Sequence, residues 1–183
     1  MTRFLNSKEA YGIIAQLLHG CVAVLIFTQI VLGLYAANLP VSMARLQWLS
    51  HHKSLGLTIL ALVIMRLLWR QIDAPPPLPH TMAKWEHHAA NAMHRALYLI
   101  PVLAMLAGWL YASAAGLTVN WFGQMLIPDL IAKNTELAPL LKALHHVLVG
   151  LLVLLLIAHI GAAVRHALML HDRVVQRMFP WWR

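Results

Sequence analysis

The sequence predicts an all-α integral membrane protein, a four-helix bundle with both termini in the cytoplasm, and three observations predict it. Of 183 residues, 61% are hydrophobic and 11% charged, with a mean hydropathy of +0.69, too apolar for a soluble domain of this size. Four stretches, roughly 12–37, 46–69, 96–119 and 143–170, each supply the ~20 mostly apolar residues needed to cross a bilayer. The 14 basic residues divide unevenly between the two sides these spans define: ten fall in or near the N-terminus, the second connector and the C-terminal tail, and four in the other two loops. Positive charge is retained on the cytoplasmic side, which orients the bundle. The whole chain, 1–183, then forms one transmembrane domain.

Met1 to Ala10 lacks the basic-then-apolar layout and small-residue cleavage site of a signal peptide, so the first apolar run reads as a retained helix. Span one carries His19 and Gly33; span two carries His52, Gly56 and Arg66. Pro75-Pro76-Pro77-Leu78-Pro79 cannot continue a helix and makes a stiff cytoplasmic connector. Lys84 to Met93 leads into span three, where Pro101 predicts a kink. Residues 117–142, with Trp121, Phe122 and the apolar run Met125-Leu126-Ile127, read as a lid on the outer membrane surface. Span four carries His145 and His159, and Phe179-Pro180-Trp181-Trp182-Arg183 reads as an interfacial anchor. The single cysteine, Cys21, and the lack of Cys-x-x-Cys-His exclude a disulfide framework and covalent haem attachment. The net charge of +8 suits topology and anionic lipid headgroups rather than nucleic acid.

Four histidines match in helix face and depth. Each residue turns a helix by about 100°, so the 14 steps from His145 to His159 come within roughly 40° of whole turns and climb about 21 Å. His146, 13 steps from His159, points elsewhere. One helix therefore offers an imidazole at each of two depths, where His19 meets His159 on the cytoplasmic side and His52 meets His145 on the outer side. Two bis-imidazole pairs within a bundle are the pattern of two six-coordinate b-type haems, held by ligation alone. Gly33, 14 residues after His19, and Gly56, one turn beyond His52, are expected to clear room for the porphyrins, as is Gly150. Arg66, 14 residues after His52, would face inward as a cation for a haem propionate.

Histidines at helix ends are ordinarily solvated, which accounts for His51, His80, His87, His88, His146 and His171. His94 and His166, at the cytoplasmic edge, are open between a propionate or proton-carrying role and plain surface placement. A divalent-metal site is the non-redox alternative, but no His-Glu-x-x-His and no carboxylate beside the intramembrane imidazoles support it. A proton channel fails because sites about 21 Å apart make no continuous relay.

Leu-Leu-His19, His52-Lys-Ser-Leu-Gly56, Met-Arg66-Leu-Leu-Trp-Arg70, His94-Arg-Ala-Leu-Tyr98, Trp121-Phe-Gly123 with Pro128, Leu-His145 with His159, and Arg177-Met-Phe-Pro180 occur in this order. In that order and spacing the chain resembles, over nearly its whole length, the bacterial cytochrome b561 family, di-haem four-helix proteins that include the superoxide oxidase. The resemblance implies haem ligands at His19, His52, His145 and His159. It implies ubiquinone or ubiquinol as a reactant in the membrane, and superoxide or a periplasmic redox partner at the outer face. The expected activity is that of a superoxide:ubiquinone oxidoreductase or a quinone-linked relative in the bacterial inner membrane; the alternative is an electron-transfer subunit of a larger complex. Gly20 and His146 depart from the superoxide oxidase, which has a tryptophan and a glutamate at these positions. Outer cations Arg45, Lys53, Lys133 and Lys142 are candidates for steering an anionic substrate.

Overall fold

The computed structural model describes residues 4–78, 82–170 and 172–179. Pro79, His80, His171 and the tail from Pro180 to Arg183 lie outside them. Among the described residues four helices are long and apolar enough to span a membrane: α1 (Ile13–Asn38), α2 (Met43–Ile72), α3 (Lys84–Ala114) and α4 (Leu137–Arg165), the last extended by a π-helical turn at His166–Leu170. A short α5 (Val174–Met178) follows. A two-stranded antiparallel hairpin, β1 (Val119–Trp121) with β2 (Met125–Ile127), joins α3 to α4.

Local chemistry sets the boundaries. Ser42 caps α2 by accepting from the Arg45 N–H at 3.3 Å. The predicted third span runs to residue 119, but α3 stops at Ala114 in a Schellman motif. There Gly116 takes φ +69°, its N–H reaches Ser113 O at 3.0 Å, and the Leu117 N–H reaches Ala112 O at 2.8 Å. At its other end α3 begins twelve residues before the apolar run, at Lys84, because a helix continues past the hydrocarbon wherever its polar turns meet water. Glu86 assists by accepting from the Ala83 N–H at 3.1 Å. The helix passes without interruption through buried Pro101. α4 begins six residues before its predicted start because Asn134 Oδ1 accepts from the N–H groups of Glu136 (3.1 Å) and Leu137 (3.0 Å). Pro139 is harmless there, within a first turn that needs no N–H donor.

Part of the segment expected to form a lid is the hairpin, strapped to α2. Lys53 Nζ donates to Thr118 O (2.6 Å), Ser54 Oγ to Asn120 O (3.1 Å) and Trp121 Nε1 to Thr58 Oγ1 (3.0 Å). Phe122 and Gly123 turn it with φ +47° and +76°, closed by the Gln124 N–H on Trp121 O at 2.9 Å.

α1 packs along α2 and α3 along α4, α2 meets α3, and no packed seam joins α1 to α4. Val22, Ile26, Ile59, Val63 and Leu152 form the buried core at mid-height. Val24, Val31, Leu154 and Ile157 are among the many apolar side chains left exposed, as a hydrocarbon solvent requires. One end of the bundle is tied together: the Tyr11 N–H meets Arg177 O at 2.9 Å, Asn6 N donates to Asp73 Oδ2 at 3.0 Å, and Arg177 reaches the carbonyls of Lys8, Glu9 and Pro77. The N-terminal segment, the proline connector and the C-terminal segment thus share a side.

Candidate haem sites

The side chains chosen by face and depth meet in two places. At the tied end, the rings of His19 (α1) and His159 (α4) have centres 6.4 Å apart at an interplanar angle of 65°. They face each other across the gap between α1 and α4. At the hairpin end, His52 (α2) and His145 (α4) have centres 6.3 Å apart at 86°. A ligating imidazole nitrogen lies about 2 Å from its metal and about 1 Å from its own ring centre, so two rings sharing one metal have centres about 6 Å apart. Both pairs fit that separation. Nδ1 of His19 and Nδ1 of His52 are buried without a hydrogen-bond partner, which burial penalises and a bound group can relieve.

The pair at the hairpin end is seated on glycine. A Cβ on Gly33 would lie 2.7 Å from His52 Cε1, and one on Gly108 would lie 3.1 Å from His145 Cε1. Gly33 therefore receives the imidazole itself, where the sequence suggested clearance for a porphyrin. Gly56 likewise makes room for Gln29, whose Nε2 would be 2.9 Å from a Cβ there, and Gly150 has nothing within 4 Å. His145 Nδ1 lies 2.8 Å from Ala104 O; a carbonyl only accepts, so Nδ1 carries the hydrogen and Nε2 keeps its lone pair.

The pair at the tied end opens into a pocket that also holds Arg66, Arg70, Tyr98 and Tyr11. The guanidinium carbons of Arg66 and Arg70 stand 5.1 and 5.6 Å from the Tyr98 ring centre. Among the described residues neither arginine has a carboxylate partner, so two cations face a cavity free to take acid groups. Burial pushes the Tyr11 phenol up from its ordinary value, against the opposing pull of Arg70, and the phenol stays a donor at neutral pH. His94 comes within 5.9 Å of the His159 ring centre, giving the inner pocket a third imidazole, and Phe179 lies 5.8 Å from His19.

The remaining histidines divide. His166 is bonded to Asp172 at 2.6 Å, beside the Arg165–Glu86 ion pair (3.0 Å). His51, His88 and His146 are exposed, and the position of Gly20 is open. Sequence reasoning missed Gln29 and Gly108. Gln29 carried a signal, as a lone amide within an apolar span; Gly108 lies four residues after Ala104, and only the crossing of α3 with α4 marks it.

The family model described as "Prokaryotic cytochrome b561" matches residues 10–181. The chain is 31% identical over 180 residues to "Cytochrome b561 homolog 2" of Escherichia coli (strain K12), covering 96% of this chain and 94% of that protein. It is 26% identical over 129 residues to "Cytochrome b561 homolog 1" of the same organism, and 28% identical over 129 residues to "Probable superoxide oxidase CybB" of Yersinia pestis. Each of these two matches covers 70% of this chain and 73% of the relative. Four apolar spans, paired intramembrane imidazoles and a match over almost the full length mean that the chain belongs to the prokaryotic cytochrome b561 family, haem b proteins that transfer electrons in the membrane.

Proposed function

We propose that this protein carries two b haems and moves single electrons across the bacterial inner membrane, between ubiquinone in the bilayer and superoxide at the outer face. The observation that carries the reading is the pair of imidazole couples, 6.4 and 6.3 Å between ring centres, stacked along one helix. His19 and His159 would hold the inner haem, and His52 and His145 the outer. When bound, haem b would supply a one-electron iron couple, and these four imidazoles are the groups that would hold it.

The chain does the rest. The Ala104 carbonyl orients His145 for ligation. Arg66 and Arg70 offer charge to propionates at the inner end. At the outer end Lys53 and Arg45 each donate to a backbone carbonyl (2.6 and 3.3 Å), which holds their charge in place to draw in an anion. Likeness to the relative named as a superoxide oxidase supports this substrate.

The test is stopped-flow mixing of the oxidised protein with superoxide. Haem reduction well above the uncatalysed background, followed by reoxidation with ubiquinone, is expected. Reduction no faster than background rejects the superoxide reading and leaves an electron-transfer subunit of a larger complex. The ten-to-four bias of basic residues supports a cytoplasmic location for the tied end and both termini. A reporter active only in the periplasm, fused after residue 183, should stay silent.

A further inference from the structure

Arg66 and Arg70 stand four residues apart on α2, within about 40° of one helix face. Like charges at that spacing repel, and these two share a pocket in which both are half-buried. Among the described residues neither guanidinium has an ion pair or a hydrogen bond. The group that both meet is the ring of Tyr98, whose centre lies 5.1 Å from the guanidinium carbon of Arg66 and 5.6 Å from that of Arg70. A cation within about 6 Å of an aromatic ring centre is drawn to the electron-rich face.

Tyr98 comes from α3, one turn after His94, so the helix face that brings the third imidazole to the inner pocket brings this ring as well. A ring differs from a carboxylate in what it leaves behind. An arginine paired with a protein carboxylate has its charge neutralised and its N–H groups occupied, whereas one held against a ring keeps both for a ligand. Holding the two side chains in place beforehand also removes part of the rotamer entropy that an acid group would otherwise lose on binding them.

We propose that Tyr98 is the positioning residue of this pair, holding Arg66 and Arg70 with charge and N–H groups unspent for the two carboxylates of a haem. The proposal rests on the reading of the inner pocket as a haem site. Cations fixed beside such a group disfavour the oxidised, more cationic iron, so the inner midpoint depends on how firmly Tyr98 holds them. The ring acts through the charge of its face, and a merely space-filling residue would not.

The experiment compares the purified parent with Tyr98→Phe, Tyr98→Leu and a protein carrying trifluorinated phenylalanine at position 98, by haem-to-protein ratio and redox titration. Phenylalanine keeps the electron-rich face, the fluorines withdraw it at nearly constant ring volume, and leucine removes the ring. The expected result is a parent-like inner midpoint in Tyr98→Phe and a lowered one in the fluorinated and leucine forms, with the outer midpoint unchanged throughout. Loss of the inner haem from the fluorinated form while Tyr98→Phe keeps it supports the proposal equally. A fluorinated protein whose inner midpoint matches that of Tyr98→Phe overturns the role of Tyr98, whatever the leucine form does. So does a Tyr98→Phe midpoint lowered as far as the fluorinated one, which assigns the effect to the phenol hydroxyl. Failure of the underlying reading looks different: a haem-free parent, or an inner midpoint unmoved when Arg66→Gln and Arg70→Gln are combined, removes the arginines from the haem and overturns this proposal with it.

Discussion

Each outer imidazole lies against bare backbone, His52 on Gly33 and His145 on Gly108, because a ring held edge-on between two helices leaves no volume for a Cβ. Such seating makes ligand loss specific to one site. His145 and His159 occupy one helix 14 residues apart, so removing either leaves the other site about 21 Å away with its own pair untouched. His145→Ala and His159→Ala should each keep about half the parent's haem per protein, with different midpoints surviving in the two. Reduced-minus-oxidised spectra with redox titration check this, and a variant that retains both haems would remove its histidine from the ligand set. In the inner pocket His94, 5.9 Å from His159, is the neighbouring imidazole best placed to substitute.

At the scale of an element, the hairpin is a strained strap whose restraint lies in α2. Phe122 stands at φ +47°, a left-handed conformation that costs a bulky residue about 1–2 kcal/mol. Ser54, 1% exposed, offsets it: its hydroxyl accepts from the Phe122 N–H at 3.0 Å, and its one proton is shared between Ser50 O at 3.0 Å and Asn120 O at 3.1 Å. Deleting it leaves the Phe122 N–H short of its partner, at a local cost of about 1–3 kcal/mol. Ser54→Ala should therefore speed amide exchange at Phe122 about tenfold or more while α1 amides keep the parent's protection. Equal exchange in the two proteins would mean that the Lys53 and Trp121 bonds hold the hairpin alone. Ser54 is two residues from His52, so the strap and a candidate haem ligand share one turn of helix.

For the whole molecule, the absent seam between α1 and α4 and the clasp at one end belong together. Where two neighbouring helices share no packed seam, contacts elsewhere must hold the bundle together. Arg177 does this with three backbone carbonyls, Pro77 and Glu9 at 2.8 Å and Lys8 at 2.9 Å, joining segments 100 or more residues apart. These are exposed charge-assisted bonds, so the set is worth about 1 kcal/mol after solvent screening. Arg177→Ala should accelerate tryptic cleavage after exposed Lys8 about fivefold with the outer haem retained. An unchanged rate would assign the clasp to the Tyr11 and Asn6 bonds.

The sequence by itself determined the four spans, the charge asymmetry and the helix faces on which the histidines fall. Apolar length and a 3.6-residue period are local properties that a bilayer reads directly. It held two further signals in plain form: the Ala-Gly-Leu ending of α3 at residues 115–117, which stops the helix five residues before the apolar run does, and the lone Gln29 within α1. Only the tertiary structure decided that Gly33 and Gly56 serve an imidazole and an amide, that Ala104 and Gly108 seat His145, that residues 119–127 pair as strands on α2, and that a third imidazole joins the inner pocket. Those assignments depend on which residues of different helices stand opposite one another. Helix crossing and register arise from packing between segments distant in the chain, and no local period encodes them.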